Sequence, residues 1–254
     1  MNLKRLQTQI EELMRKCGEV MLNADRSQAI VDAKSGHANF VTTYDKLIQQ
    51  MLKDGLANIL PESHFVGEED EIHKFGSKGY AFIVDPIDGT SNFIKDYRMS
   101  CISVGMTYDG EQLMGLVYNP YSDEMFTAIK GQGAYCNGES IHVSNSSIDN
   151  ALISFGTAPY YDDLSRVAFD LAYKYLKQSI DVRRTGSAAL DLCSVAAGRT
   201  DAYFEPRICP WDIAAGTLIV IEAGGVCTDM DGAAYTLDMP CSIFASNGVV
   251  ERLP

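Results

Sequence analysis

Leu3, Leu6, Ile10, Leu13, Met14, Cys17, Val20 and Met21 recur at steps of three and four, which predicts an amphipathic helix with one apolar stripe. Polar residues then run to Gly36, a loop or short hairpin that carries Lys34. Asn39-Phe40-Val41-Thr42-Thr43 leads into a second helix, with Thr42 and Asp45 at capping-box spacing. Its buried face should be Leu47, Ile48, Met51, Leu52, Leu56 and Ile59, and Pro61 stops it. The pattern then shortens. His64-Phe65-Val66 reads as a short strand delivering Gly67-Glu68-Glu69-Asp70-Glu71, and Tyr80-Ala81-Phe82-Ile83-Val84 as a buried strand bounded by Gly79 and Pro86. Cys101 to Tyr108 and Gln112 to Tyr118 flank Asp109-Gly110, a strong hairpin signal. Met125 to Ile129 continues the meander and Asn137-Gly138 closes another hairpin, so this half is expected to hold an antiparallel sheet and two helices.

A Ser/Asn-rich stretch, Val143-Ser144-Asn145-Ser146-Ser147, suggests a boundary between a half spanning 1–145 and another spanning 146–254. Beyond it strands alternate with helices. Strands are expected at Leu152 to Phe155, Asp181 to Arg184, Ala202 to Phe204, Val226 to Thr228 and Ile243 to Ala245. Helices are expected from Asp163 to Lys177, from Ser187 to Ala197, and from Trp211 to Ala223. The first of these should bury Leu164, Val167, Ala168, Leu171 and Tyr175. That alternation predicts an α/β half with a mixed sheet.

Composition narrows the function. With 46% hydrophobic and 22% charged residues the chain is globular. A net charge of -13 argues against nucleic acid or an anionic membrane as a direct partner. It also makes any phosphate site depend on local positive charge. Seven cysteines without a Cys-x-x-Cys pair read as reduced thiols. No window resembles a signal peptide or a membrane span, so the expected location is cytoplasmic.

The candidate chemistry centres on Asp85-Pro86-Ile87-Asp88-Gly89-Thr90-Ser91-Asn92-Phe93. Two carboxylates close together at a strand end repel each other and are costly to bury. A hard cation relieves both penalties, the Ile87 carbonyl could be a further oxygen ligand, and the amides at Gly89 and Thr90 could hold an anion beside it. Taken alone, an Asp-Gly pair is ordinary turn chemistry, the acidic run Glu68 to Glu71 an ordinary solvated loop, and Asp212 in Pro210-Trp211-Asp212 an ordinary helix cap. Taken together, Glu68, Asp85, Asp88 and Asp212 are about enough for two or three Mg²⁺ ions in a metal-dependent phosphate hydrolase.

These motifs resemble the inositol monophosphatase family of Mg²⁺-dependent, lithium-sensitive sugar phosphatases. The match comprises Gly67-Glu68-Glu69, the stretch from Asp85 to Phe93, and Trp211-Asp212-Ile213-Ala214-Ala215-Gly216, in the family's order and spacing. Lesser matches are Val41-Thr42-Thr43-Tyr44-Asp45, Gly131 to Gly138 and Gly186-Ser187-Ala188-Ala189. The resemblance implies a layered αβαβα sandwich, commonly a homodimer. It implies Glu68, Asp85, the Ile87 carbonyl, Asp88 and Asp212 as Mg²⁺ ligands, the Gly89 and Thr90 amides on the substrate phosphate, and Asp88 and Asp212 among the substrate-binding residues as well. It implies a Thr90 hydroxyl bonded to Asp45 that, with Glu68, deprotonates the attacking water. Lys34 matches a lysine near the active site, while Ser187, Ala188 and Glu205 match substrate-pocket positions.

The expected substrate is a small phosphate monoester, inositol monophosphate first. Fructose 1,6-bisphosphate, histidinol phosphate and a nucleotide 3′-phosphate are the alternatives within the class, and Asn92-Phe93 favours the inositol type. The segment Gly156-Thr157-Ala158-Pro159-Tyr160-Tyr161-Asp162-Asp163 departs from the animal inositol phosphatases and should overhang the pocket. A protein-binding role in transcription, as in some bacterial relatives, is the alternative from a different class.

Overall fold

The computed structural model describes residues 1–26, 31–33, 40–70 and 78–254, so Lys34 and Glu71 lie outside the described residues. Helix α1 (Leu3–Leu22) buries Leu6, Ile10, Met14, Cys17 and Met21, the stripe set by its apolar spacing. Strands β1 (Val31–Ala33) and β2 (Phe40–Thr42) pair antiparallel and lead into α2 (Thr43–Ile59). Thr42 and Asp45 form a capping box at the start of α2. Its buried stripe is Ile48, Leu52 and Leu56, whereas Leu47, expected inside, is 48% exposed. Leu47 sits one residue, about 100°, off that stripe, beyond what a neighbouring layer covers.

Seven strands form the first sheet: β3 (His64–Gly67), β4 (Tyr80–Asp88), β5 (Cys101–Tyr108), β6 (Glu111–Asn119), β7 (Glu124–Ile129), β8 (Ala134–Cys136) and β9 (Glu139–Ile141), in that spatial order. The short helix α3 (Thr90–Ile94) lies between β4 and β5. The sheet is antiparallel apart from β3, which pairs parallel with β4. Proline does not end β4. The strand continues through Pro86 to Asp88 on a bulge between Asp85 and Asp88, which absorbs the missing amide donor.

The second sheet is mixed, with spatial order β11 (Asp181–Arg183), β10 (Leu152–Phe155), β12 (Ala202–Ile208), β14 (Cys241–Ser246) and β13 (Val226–Thr228). The first three strands are parallel and the last two antiparallel to their neighbours. Helix α4 (Asp162–Leu176) leaves Val167 48% exposed, against expectation, and buries Ala168, Leu171 and Tyr175. Helix α5 (Ala188–Ala196) begins at Ser187 as its N-cap. The helix expected from Trp211 to Ala223 is two pieces, α6 (Pro210–Ile213) and α7 (Gly216–Glu222), with a break at Ala214-Ala215.

Four apolar clusters hold five layers together. Helices α1 and α2 pack on Phe82, Val84, Ile102, Val104 and Met114 of the first sheet. Its other face, with Cys101, Val117 and Phe126, packs on α5 and α7 and through them on Tyr203 and Ala245 of the second sheet. Helix α4 covers the far face at Ile153, Phe155, Phe204 and Phe244. Strand periodicity makes this possible, since Phe82 and Val84 face one layer while Ile83 faces Ala214 in another. The arrangement is αβαβα. All seven cysteines are free, and no helix among the described residues is long and apolar enough to cross a membrane.

Two glycines set how closely the middle layer approaches the first sheet. Gly105 and Gly115 are cross-strand partners on β5 and β6. A Cβ on Gly105 would lie 2.6 Å from Ala214 Cβ, and one on Gly115 would lie 2.5 Å from the Ala215 carbonyl oxygen. The bare backbone pair is therefore a notch that admits the α6–α7 break. Gln112 completes it by donating from Nε2 to the Ala214 carbonyl (2.7 Å) and to Thr217 Oγ1 (2.9 Å), while its Oε1 accepts from the Tyr235 hydroxyl (2.6 Å). The carbonyl freed by the break is thereby satisfied.

Candidate active site

Parallel pairing of β3 with β4 brings the first two acids together. Gly67 is opposite Val84, and the Glu68 amide donates to the Val84 carbonyl at 3.1 Å, so Glu68 follows β3 at the edge where Asp85 ends the regular part of β4. The bulge after Asp85 turns Asp88 toward the second sheet. There its Oδ2 accepts from Ser187 Oγ (2.6 Å) and from the Ala189 amide (2.7 Å) at the start of α5. Asp212 arrives on α6, held by the Cys209 amide donating to its Oδ2 at 2.9 Å. Carboxylate oxygens of Asp85, Asp88 and Asp212 lie within 4.8 Å of one another. Glu68 lines the same cleft of about 500 Å³ without belonging to that tight group.

The electrostatics are those of crowded anions. Asp85 and Asp88 are 2% and 7% exposed. Burial pushes the Asp85 carboxyl well up, with Glu68, Asp88 and Asp212 adding repulsion. Asp212 is raised by burial, then by Asp88 and Glu68. Asp88 is pushed up to about 6 by burial, while the hydroxyl of Ser187 and the amide of Ala189 hold it down. An all-oxygen set of three acids, Asp85 and Asp88 buried and Asp212 partly so, is a good fit to a hard divalent cation.

Behind this cluster stands Thr90. Its hydroxyl lies 3.2 Å from both Asp45 Oδ1 and the Ile87 carbonyl oxygen. Asp45 is fully buried, and its Oδ2 accepts from the Thr42 amide (2.8 Å) and hydroxyl (2.5 Å). One carboxylate thus caps α2 and faces Thr90. Burial raises Asp45 to about 6, against the pull of its Thr42 hydrogen bonds. Gly89 has φ +87°, and a Cβ there would meet the Met99 carbonyl oxygen at 2.9 Å, so the turn into α3 requires glycine.

Across the cleft, Glu205 Oε2 accepts from the Tyr203 hydroxyl (2.6 Å) and Oε1 from the Ala158 amide (2.8 Å). The loop from Gly156 therefore overhangs the pocket and is tied to its floor. Ser187 and Ala188 both line the cleft, and Ser187, 1% exposed, donates its hydroxyl to Asp88. Sequence reasoning missed Asp191, which is 2% exposed, lines the cleft and accepts from Thr185 Oγ1 at 2.7 Å. As the one charged residue in a small-residue helix it carries no pattern. It also missed Arg184 and Arg207, both of which line the cleft.

Comparison with known proteins agrees with this geometry. The family model for the inositol monophosphatase family matches residues 2–253. The chain is 36% identical over 241 residues to inositol monophosphatase 2 of Solanum lycopersicum, covering 89% of this chain and 88% of that one. It is 35% identical over 235 residues to Nus factor SuhB of Salmonella typhimurium strain LT2, covering 92% and 88%. A solved IMPase/NADP phosphatase complexed with Mg²⁺ and phosphate superposes with a TM-score of 0.87 at 27% identity, over 98% of this chain and 93% of that one. Likeness along the whole length, joined to a carboxylate cluster in one cleft, makes this chain a phosphomonoester hydrolase belonging to the inositol monophosphatase family.

Proposed function

We infer that the chain hydrolyses a sugar- or polyol-phosphate monoester in a Mg²⁺-dependent reaction, with inositol monophosphate the first candidate. The observation that carries this reading is the convergence of Asp85, Asp88 and Asp212 within 4.8 Å, from two different sheets' surroundings, on one cleft. The donors are all carboxylate, which suits Mg²⁺ better than a soft metal. Glu68, Asp85, the Ile87 carbonyl, Asp88 and Asp212 would hold two or three such ions. When bound, they supply positive charge against the phosphoryl oxygens and lower the cost of deprotonating water.

The protein's own groups do the rest. Gly89 and Thr90 amides receive phosphate oxygens at the start of α3. The Thr90 hydroxyl passes its proton to Asp45 Oδ1 as it takes one from the attacking water. A carboxylate near 6 is well matched to that exchange at neutral pH. Glu68, at the cleft wall, is the second acceptor for the same proton. Glu205, oriented by Tyr203 and Ala158, accepts hydrogen bonds from substrate hydroxyls. Lithium sensitivity and a homodimeric state accompany this reading as family properties.

The test is phosphate release over a panel of inositol 1-phosphate, fructose 1,6-bisphosphate, histidinol phosphate and a nucleotide 3′-phosphate, with Mg²⁺, with and without Li⁺. Turnover that needs Mg²⁺ and falls with Li⁺ is expected. No turnover of any member with Mg²⁺ would overturn the reading, and gel filtration checks the dimer.

A further inference from the structure

Asp191 is a buried acid that takes no part in the chemistry described above. It stands in the first turn of α5, and its Oδ2 accepts from the Thr185 hydroxyl at 2.7 Å. Its Oδ1 has no hydrogen-bond partner among the described residues, the Ser154 hydroxyl beside it being turned to the Ala202 carbonyl (3.4 Å). A buried carboxyl oxygen without a partner costs stability, so packing alone does not account for an acid at this place.

What Asp191 holds leads to the reacting centre. Because the Thr185 hydroxyl donates to Asp191, its lone pairs are left for the Ser187 amide, which donates to it at 3.3 Å. Ser187 Oγ in turn donates to Asp88 Oδ2. The same turn is fastened to the loop that follows β4. The Thr185 carbonyl accepts from Asn92 Nδ2 at 2.9 Å, and the Gly186 carbonyl oxygen lies 3.2 Å from where a Cβ on Gly89 would stand. Residues 185–187 are therefore seated against Asp88, Gly89 and Asn92 together, and the tie from Asp191 refers that turn to the body of α5. Oδ2 accepts whether the carboxyl is ionised or, as its burial favours, holds a proton on Oδ1, so the device does not depend on the charge.

We propose that Asp191 is a positioning residue: acting through Thr185, it sets the 185–187 turn against Asp88 and Gly89 and so holds the Asp88 carboxylate and the phosphate-facing amides in register. This rests on the phosphatase reading above. A turn released from α5 shifts the groups seated on it, and a misplacement of about 1 Å at a reacting centre can cost about a hundredfold in rate.

The experiment compares Asp191→Ala, Asp191→Asn, Thr185→Val, and the double change of Thr185→Val with Asp191→Leu. The readouts are kcat and KM for inositol 1-phosphate with Mg²⁺, melting temperature, and hydrogen exchange of the Ser187 and Ala189 amides in chelator. Asp191→Ala and Thr185→Val should each lower kcat about tenfold or more, with much less effect on KM. Asp191→Asn, whose amide oxygen still accepts from Thr185, should restore most of the loss. In chelator, the Ser187 and Ala189 amides should exchange faster in the impaired variants while those of Val104 and Met106 on β5 do not. The double change separates position from stability. It removes the carboxyl that Thr185→Val strands, so it should melt above that single variant, yet its kcat should stay low. Recovery of kcat along with melting temperature would show a structural role only and overturn the proposal. So would an Asp191→Asn as impaired as Asp191→Ala, or faster exchange spread evenly over β5 and α5. If Asp191→Ala does not fold, Thr185→Val and the double change carry the test. Absence of turnover in the wild type would instead remove the phosphatase reading, and the exchange pattern in chelator would still decide the positioning.

Discussion

Gly105→Ala is the sharpest test of how Asp212 reaches its partners. The added Cβ would sit 2.6 Å from Ala214 Cβ, 2.8 Å from its carbonyl carbon and 3.0 Å from its oxygen. Carbon atoms rest about 3.5–4.0 Å apart, so the α6–α7 break must retreat by about 1 Å. It cannot do so freely, because Gln112 holds the Ala214 carbonyl from the sheet side. Overpacking of this kind costs about 1–3 kcal/mol, offset by about 0.5–1 kcal/mol from the lost freedom of glycine in the unfolded chain. The net is about 0–2.5 kcal/mol, or a melting temperature lower by at most roughly 10 °C at this length. Asp212 is two residues from Ala214 and moves with it. A misplacement of about 1 Å can cost about a hundredfold in rate. Ile10→Val, in the α1 core on the other side of the sheet, supplies a control that costs about 0.5–1.5 kcal/mol without touching the break. Phosphate release against Mg²⁺ concentration, well below both melting temperatures, should give a higher half-saturating Mg²⁺ and a lower kcat for Gly105→Ala alone. If the two variants show the same Mg²⁺ requirement, the notch does not position Asp212.

Other expectations follow from the same geometry. Asp88→Asn should lower phosphate release about a hundredfold or more and abolish stabilisation by Mg²⁺ in thermal melts. The metal-free melting temperature should hold or rise, since the amide oxygen still accepts from Ser187 and Ala189 while one buried charge is gone. Metal-free protein should become more stable as pH falls from about 8 to about 5. Asp88 binds its proton at about 6 in the fold against about 3.9 unfolded, and Asp85 and Asp212 shift the same way. Stability from these groups is thus complete below about 4 and lost as pH rises through 6 and beyond; melts in chelator should show that slope and saturating Mg²⁺ should remove it. Thr90→Val should lower kcat with little loss of stability. Asp45→Ala should lower both, the stability by about 1 kcal/mol, because it also removes the α2 cap; equal melting temperatures would contradict the shared role.

Local signals in the sequence were sufficient where one element decides the outcome. The α1 stripe, the Thr42–Asp45 cap and the acids around Pro86 are all readable from spacing, because a helix period or a turn preference acts within a few residues. Features decided between elements were not readable. The hairpin signals from Cys101 onward imply antiparallel pairing, whereas β3 pairs parallel with β4, and that pairing between distant segments is what sets Glu68 beside Asp85. Ala214-Ala215 looks like good helix, and its close approach to Gly105 and Gly115 is a contact between elements that no local pattern announces. Arg207 carries no local pattern at all, since a bulge against β14 aims it. Leu47 and Val167 are apolar and outward, a placement that periodicity alone assigns to the core.

The grip of α5 on Asp88 has a consequence for the order in which the molecule assembles. Asp88 and Ser187 are 99 residues apart, and Gln112 and Ala214 are 102 apart. On a chain emerging from the ribosome, Asp88 and its β5 partner are complete long before Ser187 and Ala189, which hold its carboxylate, exist. Contacts of such separation close late, because loop entropy must be met before they reward it. The acid cluster is therefore expected to be the last part of the protein to become ordered, and premature metal capture would find only Glu68, Asp85 and Asp88. Pulsed hydrogen exchange during refolding should protect the amides of β4 and β5 before those of Ala189 and Asp212; simultaneous protection would show that the two layers condense as one.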